Sequence, residues 1–433
     1  MNHWKETAEI VARLGEIEAA GHRAALATVV RIVGSAYRRP GAKLLIEEGG
    51  GSLGSVSGGC LEADVREVAK AVLDSGQPWL RHYDTADESI LWGLGLGCNG
   101  SVDVLVQPAT AGPLKRLLPR LGELFAGDAP FALATLLPAG TEPPPATGAS
   151  PSRGDRSDRG EAGAGEVALV ESGGIAPSRG LSAAGAGKRE TAARDLADEL
   201  PARARAALAA GTSGVQEAGG RRIFVEVQQP PPHLLVCGAG DDAKPLVAYA
   251  ADVGFRVTVI DHRPALLDPA WFAQASRRVV ARPEDLDVDL PAPSRSLAVV
   301  KTHSLHHDRE WVRRLLAAGL PYIGVLGPRA RTESILRDVA AGAAGGAGAA
   351  GAADAAAAAS RAGAAARPGA WGNAGAAGGR PAAVERVFGP VGLDLGADGP
   401  RQVAVSIVAE LLAFTAHREP RHLSERREAI HAG

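Results

Sequence analysis

Apolar residues along the chain fall into alternating helical and strand-like periods. Ile10, Val11, Leu14 and Ile17 recur at helical spacing within 6–20. AALATVVRIV (24–33) and KLLIEE (43–48) are rich in apolar and β-branched residues and read as strands. A Gly/Ser stretch, GGGSLGSVSGGC, follows as a loop. After it, Leu61, Val65, Val68, Ala69, Val72 and Leu73 share one face of a helix over 61–74. SVDVLVQP (101–108) is a further strand that stops at Pro108. A weak echo of the strand–loop–helix order of 43–74 comes later, in EVALVESGG (166–174) and the helix 190–211, with a strand at 221–229.

Pro230, Pro231 and Pro232 make a stiff break and place a domain boundary there, with a first domain over 1–229 and a second over 230–433. The second half is more regular. Strands are predicted at 233–238, 255–261, 277–281, 295–303 and 322–327. Helices are predicted at 242–253, 308–319, 331–341 and 401–417. Pro245 is tolerable in the first turn of its helix. Strands and helices alternating at this spacing predict an α/β fold with a parallel sheet and crossover connections.

Composition adds two insertions. Gly 55 and Pro 29 exceed ordinary usage, and much of the excess lies in 139–165 and in the Ala/Gly run 341–382. Neither segment holds enough large apolar side chains to offset the entropy of ordering, so both are predicted to be flexible. The 47 cationic and 49 anionic residues give a net charge of -2. A near-neutral chain lacks the bulk electrostatic footprint of a nucleic-acid binder. The charged start, MNHWKETAEI, carries no apolar signal region, and no stretch suits a membrane span. Three cysteines without a signal fit reduced thiols in a cytoplasmic protein.

The chemistry concentrates in Gly-rich loops. CGAGDDA (237–243) ends a strand and opens a helix. Gly238 permits the tight turn, Gly240 a close phosphate, and the amides up to Asp242 an anion at the helix start. Asp261 closes the next strand about 20 residues on, where a carboxylate meets a ribose. This reads as a Rossmann-like frame, with NAD(P) as one candidate ligand and a different or lost ligand as the other. In GSVSGGCLEADV (54–65), Ser55, Ser57, Gly58 and Gly59 can fold amides into an anion nest beside Cys60. A thiol at a helix start leans towards the thiolate and suits a soft metal or sulfur centre. In LWGLGLGCNGSVDVLV (91–106), glycines including Gly97 flank Cys98, a companion to Cys60. Cys237 reads as core packing. Arg38 and Arg39 sit in a Gly/Pro turn, where they could clamp a phosphate or be solvated. His303 stands at the carboxyl end of a strand, the functional rim of an α/β sheet. Gly327, Arg329 and Arg331 mark another loop on that rim, and Asp308 reads as the N-cap of the helix after His306 and His307. No residue is assigned firmly to catalysis; Cys60, Cys98 and His303 are the candidates.

Taken together, GSAYRRPGAKLLI (34–46), GSVSGGCLEADV, LWGLGLGCNGSVDVLVQP, VCGAGDDAKPLV, VTVIDHRP, Thr302-His303, YIGVLGPR and VFGPVGLDLGA (387–397) resemble the XdhC/CoxI family of xanthine dehydrogenase accessory proteins. After Thr302-His303 the family often continues Asp-His, whereas this chain has Ser304-Leu305; Pro328 stands where Ser is common. The resemblance implies an N-terminal α/β XdhC-type domain and a C-terminal Rossmann-like domain. It implies a chaperone that binds molybdenum cofactor, protects its sulfurated form and delivers it to a xanthine dehydrogenase-type molybdenum hydroxylase. A cysteine desulfurase partner is implied as well, and a homodimer is compatible with it. On this reading Cys60 lies near the molybdenum and the Gly/Ser loop holds a phosphate. The alternative is an NAD(P)-dependent oxidoreductase that uses the Rossmann half.

Overall fold

The computed structural model describes residues 4–34, 37–84, 100–139, 164–172, 174–175, 188–285, 293–345 and 384–425. They fall into two compact units, one within 2–230 and one within 231–422. Most of 139–165 and 341–382 lies outside the described residues; the start of the second segment extends a helix to Gly345.

The first unit opens with α1 (Trp4–Ala19), which buries Ile10, Val11, Leu14 and Ile17 as their spacing requires. β1 (Ala24–Gly34), β2 (Lys43–Glu47) and β3 (Ser52–Gly54) follow, then α2 (Glu62–Ser75), β4 (Trp79–Asp84) and β5 (Gly100–Pro108). The sheet order is β3-β2-β1-β5-β4 with antiparallel neighbours. Val65, Val68, Ala69 and Val72 of α2 pack on one face of it, against Ala27, Leu44, Val104 and Val106.

The same plan is then repeated. α3 (Gly112–Ala126), β6 (Phe131–Leu136), β7 (Val167–Glu171), β8 (Gly174–Ile175), α4 (Lys188–Ala210), β9 (Gly214–Ala218) and β10 (Arg221–Gln228) form a sheet of order β8-β7-β6-β10-β9. Element for element this matches the first half, so the unit is an internal duplication. Side chains confirm the correspondence. RLGE at 13–16 recurs at 120–123, and ALAT at 25–28 recurs at 132–135. Arg13 reaches Glu47 at 2.9 Å and Glu16 at 2.8 Å; Arg120 reaches Glu171 at 2.8 Å and also pairs with Glu123. Registers agree too, with Ala24 opposite Glu47 and Phe131 opposite Glu171. The echo between 43–74 and 166–211 is thus part of a longer repeat that begins at the helix before it. Trp4 of the first copy packs edge-on against Phe125 and Phe131 of the second, with ring centroids 4.8 and 5.7 Å away.

The second unit is a parallel sheet. Its strands are β11 (His233–Cys237), β12 (Arg256–Asp261), β13 (Arg277–Val280), β14 (Ser296–Val300), β15 (Tyr322–Val325) and β16 (Val387–Phe388), in the order β13-β12-β11-β14-β15-β16. Chain order runs outward from β11 on one side and from β14 on the other, the doubly wound arrangement whose crevice opens between those two strand ends. α5 (Ala243–Asp252) and α8 (Pro400–Thr415) bury apolar residues in the core on one face of the sheet. α6 (Leu305–Ala317) and α7 (Arg329–Gly345) contribute Trp311, Val312, Leu315 and Ile335 to the core on the other. Among the described residues, no helix is long and apolar enough to cross a membrane.

Candidate functional site

In the first unit the candidate loop joins β3 to α2. The Glu62 carboxylate, in the first turn of α2, draws the loop around itself. Ser57 N donates to Glu62 Oε1 at 2.9 Å and Val56 N at 3.3 Å, while Ser55 Oγ lies at 3.2 Å. The Ser57 hydroxyl donates to Glu62 Oε2 and accepts the amides of Gly59 and Leu61, each at 3.1 Å. Burial pushes the Glu62 carboxyl up, but hydrogen bonds from the Ser57 hydroxyl and amide outweigh it and hold the group below its usual range. The nest expected for a ligand phosphate is therefore partly filled by the chain's own carboxylate. Among the described residues, the amides of Gly58 and Cys60 have no acceptor in the chain. Cys60 itself is a free, half-buried thiol at the edge of the α2 core. The exposed Tyr37 ring lies beside Gly58, 3.7 Å from where a Cβ would stand. Arg38 pairs with Glu6 and is not a free phosphate clamp. Gly97 and Cys98 lie outside the described residues.

In the second unit the glycine turn sits where its motif predicts. Gly238 has φ 117, and a Cβ there would meet the Lys301 carbonyl oxygen at 2.5 Å, so only glycine fits. Gly240 differs from expectation. The space above it is occupied by Asp242 Oδ1, 2.9 Å from a Cβ position, and not by an open cradle. Asp242 Oδ2 is shared by Lys301 Nζ at 3.0 Å and His303 Nε2 at 3.3 Å. Lys301 closes the apolar run of β14 with its side chain 2% exposed. Burial pulls its ammonium down to about 8 against the opposing pull of Asp242.

His303 adopts φ 59, unusual for a side-chain-bearing residue. Its loop is braced beneath by Asp308. That buried carboxylate accepts Thr302 N at 3.1 Å and Thr302 Oγ1 at 2.6 Å, and it takes Arg331 Nε at 3.0 Å and Nη2 at 2.6 Å. Asp308 is therefore not the N-cap of α6. The helix begins at Leu305, and Ser304 caps it by accepting the His307 amide. Cys237 is fully buried, which pushes its thiol well up, in keeping with core packing.

Asp261 is also engaged. Its carboxylate accepts Ala239 N at 2.8 Å, Arg263 N at 2.9 Å and the Arg263 guanidinium at 3.0 Å on both oxygens. Burial opposes the charge, but the Arg263 and Ala239 donors win and hold the carboxyl down at about 2. The lone pairs that would read a ribose are already used. His262, His306 and His307 pack as rings, with His262 and His307 centroids 4.8 Å apart. Among the described residues no group of three or more His, Cys, Asp or Glu side chains could hold a metal ion.

Sequence reading overlooked Glu62, Lys301 and Arg263. Lys301 had a signal, a charge ending an otherwise apolar strand one residue before Thr302-His303. Glu62 and Arg263 had none beyond proximity.

Comparison with known proteins agrees with this architecture. The profile of the XdhC and CoxI family matches residues 17–84, and that of the XdhC Rossmann domain matches 234–351 and 352–411. The chain is 28% identical over 394 residues to a Bacillus subtilis (strain 168) protein named as a probable component of xanthine dehydrogenase, covering 90% of this chain and 92% of that one. It is 22% identical over 195 residues, 45% of its length and 29% of the relative's, to the uncharacterized protein YqeB of Escherichia coli (strain K12). A crystal structure described as a xanthine dehydrogenase from Bacillus halodurans superposes with a TM-score of 0.64 at 25% identity, covering 94% of this chain and 96% of that chain.

Proposed function

Because this chain belongs to the XdhC and CoxI family, whose profiles match more than half of its length, we propose that it is an accessory protein of a xanthine dehydrogenase-type molybdenum hydroxylase. It carries molybdenum cofactor as cargo, shields the sulfurated form and hands it to the apo-hydroxylase, with a cysteine desulfurase as the upstream sulfur donor. The observation that supports this best is the Cys60 thiol. It is free and half-buried, just before α2, next to the amides of Gly58 and Cys60, which have no acceptor among the described residues. A soft sulfur ligand beside two amide donors suits an oxyanionic, thiophilic metal centre. Ser55, Ser57 and Gly59 then act by shaping the loop around Glu62, and Gly58 and Cys60 face the cargo. Cys98 and Gly97 remain proposed companions.

Nothing in the Rossmann crevice favours the oxidoreductase alternative. The carboxylate that would hold a nicotinamide dinucleotide's ribose is tied to Arg263, and Asp242 stands over the turn. The test is transfer in vitro. Cofactor-loaded protein is mixed with apo-hydroxylase, and recovery of hydroxylase activity is followed. Cys60→Ala is expected to abolish activation without lowering the melting temperature. Full activation by that variant removes the thiol from the mechanism.

A further inference from the structure

Tyr37 stands beside the Cys60 loop, in the turn between β1 and β2. At 75% it is the most exposed large apolar side chain among the described residues. One exposed aromatic is ordinary on a protein surface, so exposure alone says little. Position says more. A Cβ at Gly58 would stand 3.7 and 3.9 Å from Cγ and Cδ1 of the Tyr37 ring, so the ring lies against the loop where glycine has no side chain to cover it. Neither backbone is loose. Arg38, next to Tyr37, is paired with Glu6 on α1. The turn is closed by Gly41 N donating to Val29 O at 2.8 Å, Val29 N to Ala42 O at 2.9 Å and Ala42 N to Arg39 O at 3.1 Å. The loop is tied to β2 by Ser55 N donating to Lys43 O at 2.8 Å, and Glu62 holds the Ser57 amide at 2.9 Å. Two anchored backbones therefore keep an aromatic ring and a thiol-bearing loop side by side, with most of the ring left to solvent.

That pairing selects a class of ligand. A thiol and two amides suit an oxyanionic metal centre, but they do not read the organic part of a cofactor. A flat, exposed phenol ring does, because it can stack on a planar heteroaromatic system. Tyrosine also has only two side-chain torsions to fix, so the contact costs little conformational entropy. We infer that Tyr37 binds the planar ring of the pterin by stacking, while the Cys60 thiol and the Gly58 and Cys60 amides serve the metal end. The inference rests on the cargo reading and deepens it, since it names the part of the ligand that the loop recognises besides its metal. It predicts a site that prefers a pterin-bound metal to a bare oxyanion.

The experiment follows release of cargo from the full-length protein, purified loaded from a cofactor-competent host. Samples are diluted and filtered at intervals, and the pterin still bound is read by fluorescence after oxidation. Tyr37→Ala is expected to release pterin about tenfold faster than wild type, or to be purified with correspondingly less of it, the scale of one lost ring stack. Tyr37→Leu, apolar but not planar, is expected to behave like the alanine variant, and Tyr37→Phe to stay within about twofold of wild type. All of these variants are expected to melt with wild type, because the side chain is exposed and supports no core. Release from Tyr37→Ala at the wild-type rate overturns the inference and leaves carriage of cargo intact. Wild-type retention by Tyr37→Leu, or release from Tyr37→Phe as fast as from the alanine variant, overturns stacking as the cause. Wild-type protein that carries no pterin overturns the cargo reading and this inference together.

Discussion

The Lys43 ammonium on β2 lies 2.6 and 2.7 Å from the two carboxylate oxygens of Glu226 on β10, with both side chains under a tenth exposed. The pair joins the two copies of the duplicated module. It has no counterpart: by strand register Val167 occupies the position of Lys43 in the second copy, and Gln107 that of Glu226 in the first. The ion pair therefore gives an otherwise two-fold plan one sense of pairing. Removing one partner leaves a buried charge, so Lys43→Met is expected to cost about 3–5 kcal/mol in urea unfolding. The double replacement Lys43→Met/Glu226→Leu is expected to recover most of that loss, because two apolar side chains leave no unpaired charge. A double variant as unstable as the single one contradicts this account.

Asp261 predicts an acid-sensitive second unit. Its carboxyl is held at about 2 when folded and returns to an ordinary value near 3.8 when unfolded. A depressed carboxyl stabilises the fold above its unfolded value and loses that contribution as pH falls towards the folded value. The contribution, about 2 kcal/mol, is expected to be intact at pH 6 and to disappear between about pH 4 and 2. Arg263→Met is expected to flatten this part of the stability–pH curve. An unchanged curve in that variant contradicts the assignment.

Lys301 predicts the opposite limb. Its ammonium is lowered from 10.5 to about 8 in the fold, so between those values the unfolded chain binds the extra proton. Stability is therefore expected to rise with pH across that window, by about 3 kcal/mol in all. Chemical denaturation at pH 7.5, 9 and 10 reads it. Lys301→Met is expected to lose the rise, and a wild type that weakens steadily above pH 8 would falsify the desolvated-lysine reading.

The two glycines of the turn are expected to respond differently to alanine. At Gly238 a Cβ meets backbone, the Lys301 carbonyl oxygen at 2.5 Å, and the positive φ adds strain. Gly238→Ala is expected to cost more than about 3 kcal/mol or to prevent folding. At Gly240 the Cβ meets the free end of Asp242, which can rotate. Gly240→Ala is expected to fold with a loss under about 1 kcal/mol. Circular dichroism melting of the two variants side by side checks the contrast.

The second unit was the more legible half in sequence, because each buried parallel strand is a short apolar run ended by a turn signal. Gly238, Gly240 and Asp261 marked the turn through their spacing. That spacing was blind to the partners each polar group had chosen. Asp261 looked available and is tied to Arg263 two residues on, and Asp308 looked like a cap and is a buried brace. In the first unit, β4 and α3 carried weaker patterns and were not recognised. The duplication was visible only as an echo after β2, although RLGE at 13–16 and 120–123 and ALAT at 25–28 and 132–135 recorded it directly. The Ser57–Glu62 lock was out of reach, because nothing in the motif tells a carboxylate that binds a loop from one that is solvated.

Carriage of molybdenum cofactor at the Cys60 loop is the proposal on which the function of this protein turns. Its most direct test is the molybdenum and pterin content of protein purified from a cofactor-competent host, by metal analysis and by fluorescence of the oxidised pterin. Wild-type protein is expected to hold molybdenum and pterin in equal amounts, and a folded Cys60→Ala variant to lose both. Wild-type protein free of both, or a Cys60→Ala variant that keeps both, contradicts it.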